Sequence, residues 1–269
     1  MDILRRSMAP VSDAAWKEID EEARRVLAGN LTCRRLVDFD GPRGWDLSSV
    51  NLGQLQEVTK KPVKGVDWGM RVVQPLAEVR VPFQVDKWEM DNVDRGCETP
   101  DLDAVADAAR KTALFEEMAV CHGLDEACIR GMCQDSPHKP VSVPADVSDF
   151  LPALEGAVVN LQKAGVGGPY ALLLDSDMYQ LVMAGDNRGY PLHKRVTELA
   201  EGGLHWGPAV KGGILLSQRG GDFKLTVGVD VSVGYKGDST KKVDLYLTES
   251  FTFQVLEPAA AVALQATSK

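Results

Sequence analysis

The spacing of apolar residues changes along the chain, and each change marks an element. Near the N-terminus Trp16, Ile19, Ala23, Val26 and Leu27 recur at helical intervals, which predicts a helix over residues 12–28. Ser12 offers an N-cap, acidic residues precede Arg24 and Arg25, and Gly29-Asn30 supplies the stop. A longer helix is predicted over residues 99–122, with Thr99 as cap and Pro100 in its first turn. Leu102, Val105, Ala106, Ala109 and Ala113 form one stripe on it, and Leu114, Met118 and Cys121 a second, rotated one. Apolar contact on two sides of a helix at least about 30 Å long marks a structural spine. The acidic pairs Glu116–Glu117 and Asp101/Asp103 read as charges on the helix surface.

Elsewhere the period is two. Val79, Val81, Phe83 and Val85 alternate with polar residues or proline, and Pro82 places that strand at a sheet edge. The last third is strongly β. Val227, Val229, Val231, Val233 and Tyr235 read as one run, 236–239 as a turn, and Val243 to Val255 as the return, before a short apolar tail at 259–264. Between 51 and 66 apolar residues are sparse, which suits an exposed hairpin with its tip near 61–65. Such an arm buries little alone and needs neighbouring chains to hold it. Residues 135–221 alternate α and β pieces: helices at 147–164 and 191–199, another starting at Ser176 or Asp177, and a buried strand at 170–174. That segment reads as an inserted subdomain in an α+β protein.

Composition narrows the function. The 269 residues carry a formal charge of −9, which argues against a nucleic-acid partner that needs a basic face. Five cysteines without a CxxC fit a reducing compartment rather than a disulfide framework. Cys121, His122, Cys128, Cys133 and His138 lack the paired spacing of a zinc site, so no metal is expected. No apolar core follows Arg5-Arg6, and no run approaches the ~20 residues of a membrane span, so a soluble cytoplasmic protein is expected. The glycine-rich 165–169 precedes a strand instead of following one, and there is no GxSxG elbow. No catalytic residues are assigned.

Ten strings in order carry a resemblance over nearly the whole chain: RRSMAP at 5–10, Trp16 with EID at 18–20, VDFDGPRGWD at 37–46, QPLAEVRVPF at 74–83, WEMDNVDRG at 88–96, GPYALLL at 168–174, GYPLHKRV at 189–196, RGGDFKLTVG at 219–228, DVSVGY at 230–235 and LTESFTFQVLEP at 247–258. The chain resembles family-1 encapsulins, shell proteins similar to the major capsid proteins of tailed phages. The resemblance implies that capsid-like fold: a peripheral domain (1–45, 77–134 and 222–269), an extended loop (46–76) and an axial domain (135–221). It implies a shell subunit rather than an enzyme, assembling into an icosahedral cage with positions in multiples of sixty.

It also implies partners and sites. Similar shells enclose a cargo enzyme, commonly a peroxidase such as a dye-decolourising one or a ferritin-like iron protein, through its C-terminal peptide. The matching dock positions are Val26, Leu27, Leu31, Arg34, Asp38, Val231 and Tyr235. Asp186, Asn187 and Arg188 match the loop at the five-fold pore. No cofactor is required, although some members hold a flavin on the position matching Trp88, with Tyr190 near it. A prophage-type capsid protein and a flavin-binding enzyme are the competing readings; the acidity, and a first helix close to Met1, disfavour genome packaging.

Overall fold

A computed structural model describes residues 3–143, 147–187 and 189–267. The chain opens with α1 (Asp13–Asn30), whose cap Ser12 accepts the N–H of Ala15. Ala15, Trp16, Ile19, Ala23 and Val26 form its buried stripe. A short 3-10 turn at Cys33–Arg35 leads to β1 (Asp38–Asp40). The strands β2 (Ser49–Glu57) and β3 (Gly69–Pro75) pair only with each other and form the arm. Next come β4 (Ala77–Asp86), α2 (Lys87–Asp94) and α3 (Asp103–His122). The cap expected at Thr99 is not used. Pro100 and Asp101 make a turn first, with Asp101 Oδ1 accepting the N–H of Asp103, so the helix starts later.

The α/β segment holds α4 (Met132–Asp135), β5 (Val141–Val143), α5 (Val147–Lys163), β6 (Tyr170–Leu174), α6 (Ser176–Ala184), a small hairpin of β7 (Asp186–Asn187) and β8 (Tyr190–Pro191), α7 (Leu192–Leu199), β9 (Leu204–Trp206) and β10 (Gly213–Ser217). The chain then runs through β11 (Phe223–Val227), β12 (Ser232–Asp238), β13 (Lys242–Val255) and β14 (Ala261–Ala266). Helices and strands are largely segregated, and the fold is α+β.

Two five-stranded sheets organise the molecule. In the first, β13 is the axis. One edge takes β11 along Phe251–Val255 and β12 along Val243–Thr248, and the other takes β4 along Lys242–Phe251. β4 has no second neighbour, so Pro82 sits on an edge strand, where its missing N–H does no harm. The run expected as one strand from 227 to 235 is broken. At 228–231 the chain folds around Ser250, whose Oγ accepts the N–H of Val229, and a Cβ on Gly228 would meet that oxygen at 2.6 Å. The break turns Asp230 out of the ladder.

The second sheet has the order β5-β14-β10-β6-β9. Its second strand comes from the C-terminus, which corrects the assignment of residues 222–269 to the peripheral part. Val262 and Leu264 are fully buried there, and β14 hydrogen-bonds β10 on one side and β5 on the other. The apolar tail had no alternation long enough to announce a strand, and only burial on both faces explains its composition. One apolar core runs continuously from this sheet to the inner end of the first, through Phe223, Leu225, Phe251 and Phe253. A second lies between α1, α3 and the outer ends of β4, β12 and β13.

Because β14 lies inside the axial sheet, Leu264→Asp should abolish soluble expression, while Leu264→Met costs under about 1.5 kcal/mol. Thermal unfolding and soluble yield check this; a well-folded Leu264→Asp protein would contradict the sheet order.

Candidate functional site: a cargo cleft backed by a buried ion cluster

Between the N-terminal segment, α1 and β12 lies an open cleft of about 460 Å³. Ala23, Leu27 and Leu31 from α1 and its exit form one wall, Val231 and Val233 the other, and Leu4 lies along the rim. The main chain holds that rim in place: the N–H of Tyr235 donates to Leu4 O at 2.8 Å, and the Tyr246 hydroxyl donates to Ile3 O at 3.3 Å. Arg6 is fixed by a bidentate pair with Asp20 at 2.7 and 3.1 Å and lies 4.2 Å over the Trp16 ring. Arg24, also on the lining, is exposed.

The seven dock positions do not share one surface. Leu27, Leu31, Arg34 and Val231 line the cleft. Val26 is in the core beneath α1, at 5% exposure. Asp38 is at the start of β1, where its Oδ2 accepts the N–H of Gly221 at 2.7 Å and it borders a different hollow. Tyr235 lies further along β12 and donates its hydroxyl to Asp238 at 2.6 Å.

Arg34 is bound from behind. Its Nε and Nη2 form a fork on Glu116 at 2.8 and 2.6 Å, Nη1 donates to Asp230 at 2.7 Å, and Nη2 also reaches Glu249 at 3.1 Å. Glu116 and Glu249 are fully buried, and Glu117 beside them is too. The reading of Glu116–Glu117 as surface charges is therefore overturned. They continue the stripe of Ala109 and Ala113 at helical spacing, three and four residues on, so the period itself held the signal. Glu249 carried a similar one, as a lone acid inside an apolar strand. What spacing could not show is the cation that makes their burial tolerable.

One guanidinium faces more negative charge than it can neutralise. Burial pushes Glu249 well above the carboxylate range, and the charge of Glu116 pushes it further, against the pull of Arg34. Burial raises Glu117 to about 7, although the N–H of Cys33 donates to its Oε1 at 2.7 Å. Glu249 Oε1 and Glu117 Oε2 are buried with no hydrogen-bond partner. The two acids thus hold protons where ordinary carboxylates have lost them.

The remaining assigned residues lie elsewhere. Trp88 is on α2, against α1 and β4, and is 73% exposed. Tyr190 is on β8 next to α7, with Arg195 at 4.9 Å from its ring. One chain therefore sets them in different subdomains. Asp186 Oδ1 accepts the N–H of Gly189 and closes the β7–β8 turn. Arg188 lies outside the described residues, as does the side chain of Asn187. Among the described residues no group of three His, Cys, Asp or Glu is placed to hold a metal, and no helix is long and apolar enough to cross a membrane.

A family model described as "Encapsulating protein for peroxidase" (Linocin_M18) matches residues 1–252. The chain belongs to this family. The type 1 encapsulin shell protein of Rhodospirillum rubrum is 44% identical over 275 residues, covering 100% of this chain and 98% of that protein. That of Mycobacterium tuberculosis is 38% identical over 264 residues, covering 98% and 99%. The fold is also that of a virus-like particle from Pyrococcus furiosus, with a TM-score of 0.67 at 17% identity, over 93% of this chain and 99% of the other. Gordonia phage Cozz matches with a TM-score of 0.56 at 13% identity, over 89% and 87%. The chain is thus an encapsulin shell protein with a phage-capsid-like fold, not an enzyme.

The buried acids generate two predictions. Arg34→Met leaves Glu116 and Glu249 without their cation and should cost about 3–5 kcal/mol in unfolding experiments, more than Arg25→Met on the exposed face of α1. Glu117 has a folded pKa of about 7 against 4.5 for the free group. Its protonated form is favoured on folding, so its share of stability is complete below pH 4.5 and is lost as pH rises through 7. That share is roughly 3 kcal/mol. Glu117→Gln, which keeps an oxygen for the Cys33 N–H, should flatten the fall in stability between pH 5 and 8; an unchanged pH slope would contradict the buried, protonated acid.

Proposed function

We propose that the chain assembles into a closed icosahedral nanocompartment in the cytoplasm, sixty copies or a multiple. In this reading it encloses an enzyme by holding the enzyme's C-terminal peptide in the cleft between α1 and β12. The observation that carries the reading is the cleft in a chain of this family: an apolar trough with one exposed cation at its edge. Leu27, Leu31 and Val231 offer the apolar walls an extended peptide needs, and Arg24 offers charge to an acidic group or a terminal carboxylate. Arg34 serves differently from the role its position implied. With its guanidinium occupied by Glu116, Glu249 and Asp230, it shapes the wall between α1 and β12.

A peroxidase is the cargo that the family description favours, and a ferritin-like iron protein is the other class that such shells take. The β7–β8 turn, with Asp186 exposed on it, is the loop we place around the five-fold opening.

Co-expression with a fluorescent protein fused to the C-terminal tail of a candidate cargo tests the dock. The wild-type shell should retain the fluorophore through size exclusion, and a tail-less fusion should not be retained. Leu27→Asp with Val231→Asp should lower loading at least about tenfold while particles still form. Undiminished loading by such particles would place the dock elsewhere.

A further inference from the structure

The interior of the subunit holds a pair of thiols that neither the cleft nor the shell uses. Cys33 opens the 3-10 turn after α1, and Cys121 lies in the last turn of α3. Both are fully buried, their Sγ atoms are 3.6 Å apart, and 88 positions of sequence separate them. A disulfide needs its sulfurs at about 2.05 Å, so closure asks for a shift of about 1.5 Å divided between two side chains. No rearrangement of the sheets is involved.

A third group completes the arrangement. Glu117 stands one helical turn before Cys121, accepts the N–H of Cys33 at Oε1, borders the Cys33 thiol, and leaves Oε2 buried without a partner. The thiols keep their protons at rest: the bond with Cys121 and then burial hold Cys33 well above the ordinary thiol range. A buried thiol of that kind reacts only when a base adjoins it, and the open oxygen of Glu117 is placed to be that base.

We propose that Cys33 and Cys121 form an oxidisable dithiol that hydrogen peroxide closes to an intrasubunit disulfide, with Glu117 as proton acceptor. The Cys33 thiol gives its proton to Glu117, and its sulfur attacks the peroxide O–O bond. One oxygen joins sulfur as a sulfenic acid. The other leaves as hydroxide and takes the proton back from Glu117 as water. The Cys121 sulfur then displaces the sulfenic oxygen, which departs with the Cys121 proton as a second water. The two thiols lose two electrons in all, and one peroxide gains them. Burial makes the reaction slow, so it answers sustained exposure and not a brief pulse.

The location gives the bond a consequence. It ties the turn that follows Leu31 and carries Arg34 to the spine helix, two parts held there only by noncovalent contacts. Cys133 provides the contrast. It is partly buried, and burial and then Cys121 push its thiol up to about 12. A Cys121–Cys133 bond would span only the short loop from α3 to α4 and leave the turn after α1 untouched.

Overnight treatment of purified shells with excess hydrogen peroxide, then denaturation, alkylation and unreduced peptide mapping, tests the assignment. Cys33 and Cys121 should leave the alkylatable pool together and return as one cross-linked peptide pair. The unfolding midpoint should rise by several degrees and fall back after dithiothreitol. Cys33→Ser and Cys121→Ser should each abolish that rise, and Glu117→Gln should slow cross-linking roughly tenfold or more. Full alkylation of both cysteines, or a peptide joining Cys121 to Cys133, would overturn the proposal. Cross-linking at the wild-type rate in Glu117→Gln would overturn the role of the acid.

Discussion

The guanidinium of Arg34 joins three parts of the chain that are remote in sequence. It comes from the turn after α1 and binds Glu116 on the spine helix, Glu249 on the central strand and Asp230 at the break between β11 and β12. Burying ions costs free energy, and their mutual attraction repays it only where the geometry is good. Here the fork on Glu116 is bidentate, and the surplus negative charge is relieved by protons on Glu249 and Glu117. The arrangement therefore exists only when helix, strand and turn are all in register. That dependence sets the angle of α1 over the sheet, and the cleft lies along that angle.

Around this fixed centre the subunit leaves apolar surface unfilled. Leu114 and Met118 on α3 are 39% and 50% exposed. The arm shows Leu55, Val66, Trp68, Met70 and Val73 to solvent, and its two strands pair with nothing but each other. A monomer with so much exposed apolar surface is poorly soluble, and neighbouring copies are the natural cover for a chain of this family. The rigid part, the two sheets sharing one core, and the extended part, the arm, thus have separate tasks: the first holds the cleft and the second reaches outward.

Much of this was legible before any coordinates. The period of Trp16, Ile19 and Ala23 marks α1, the alternation at 79–85 marks an edge strand, and the sparse pattern at 51–66 marks an arm. Three features were not, each for a physical reason. Glu116 and Glu117 look like solvated charges because spacing carries no record of a cation that approaches from residue 34. The run from 227 to 235 looks like one strand because alternation survives the fold around Ser250, which only pairing reveals. The tail at 259–264 has no period, and its place between β5 and β10 is a property of topology. The cleft shows the same limits. Leu27, Leu31 and Val231 converge, whereas Val26, Asp38 and Tyr235 belong to the core, to the start of β1 and to the far end of β12.

The account rests on assembly, and electron microscopy of the purified protein, with no cargo present, tests it most directly. Encapsulin shell subunits folded as described should give closed, hollow particles of uniform diameter that average with icosahedral symmetry, each arm lying over a neighbouring subunit. A protein that remains monomeric or forms small oligomers at the same concentration, while its circular dichroism shows the α+β fold intact, would contradict the account.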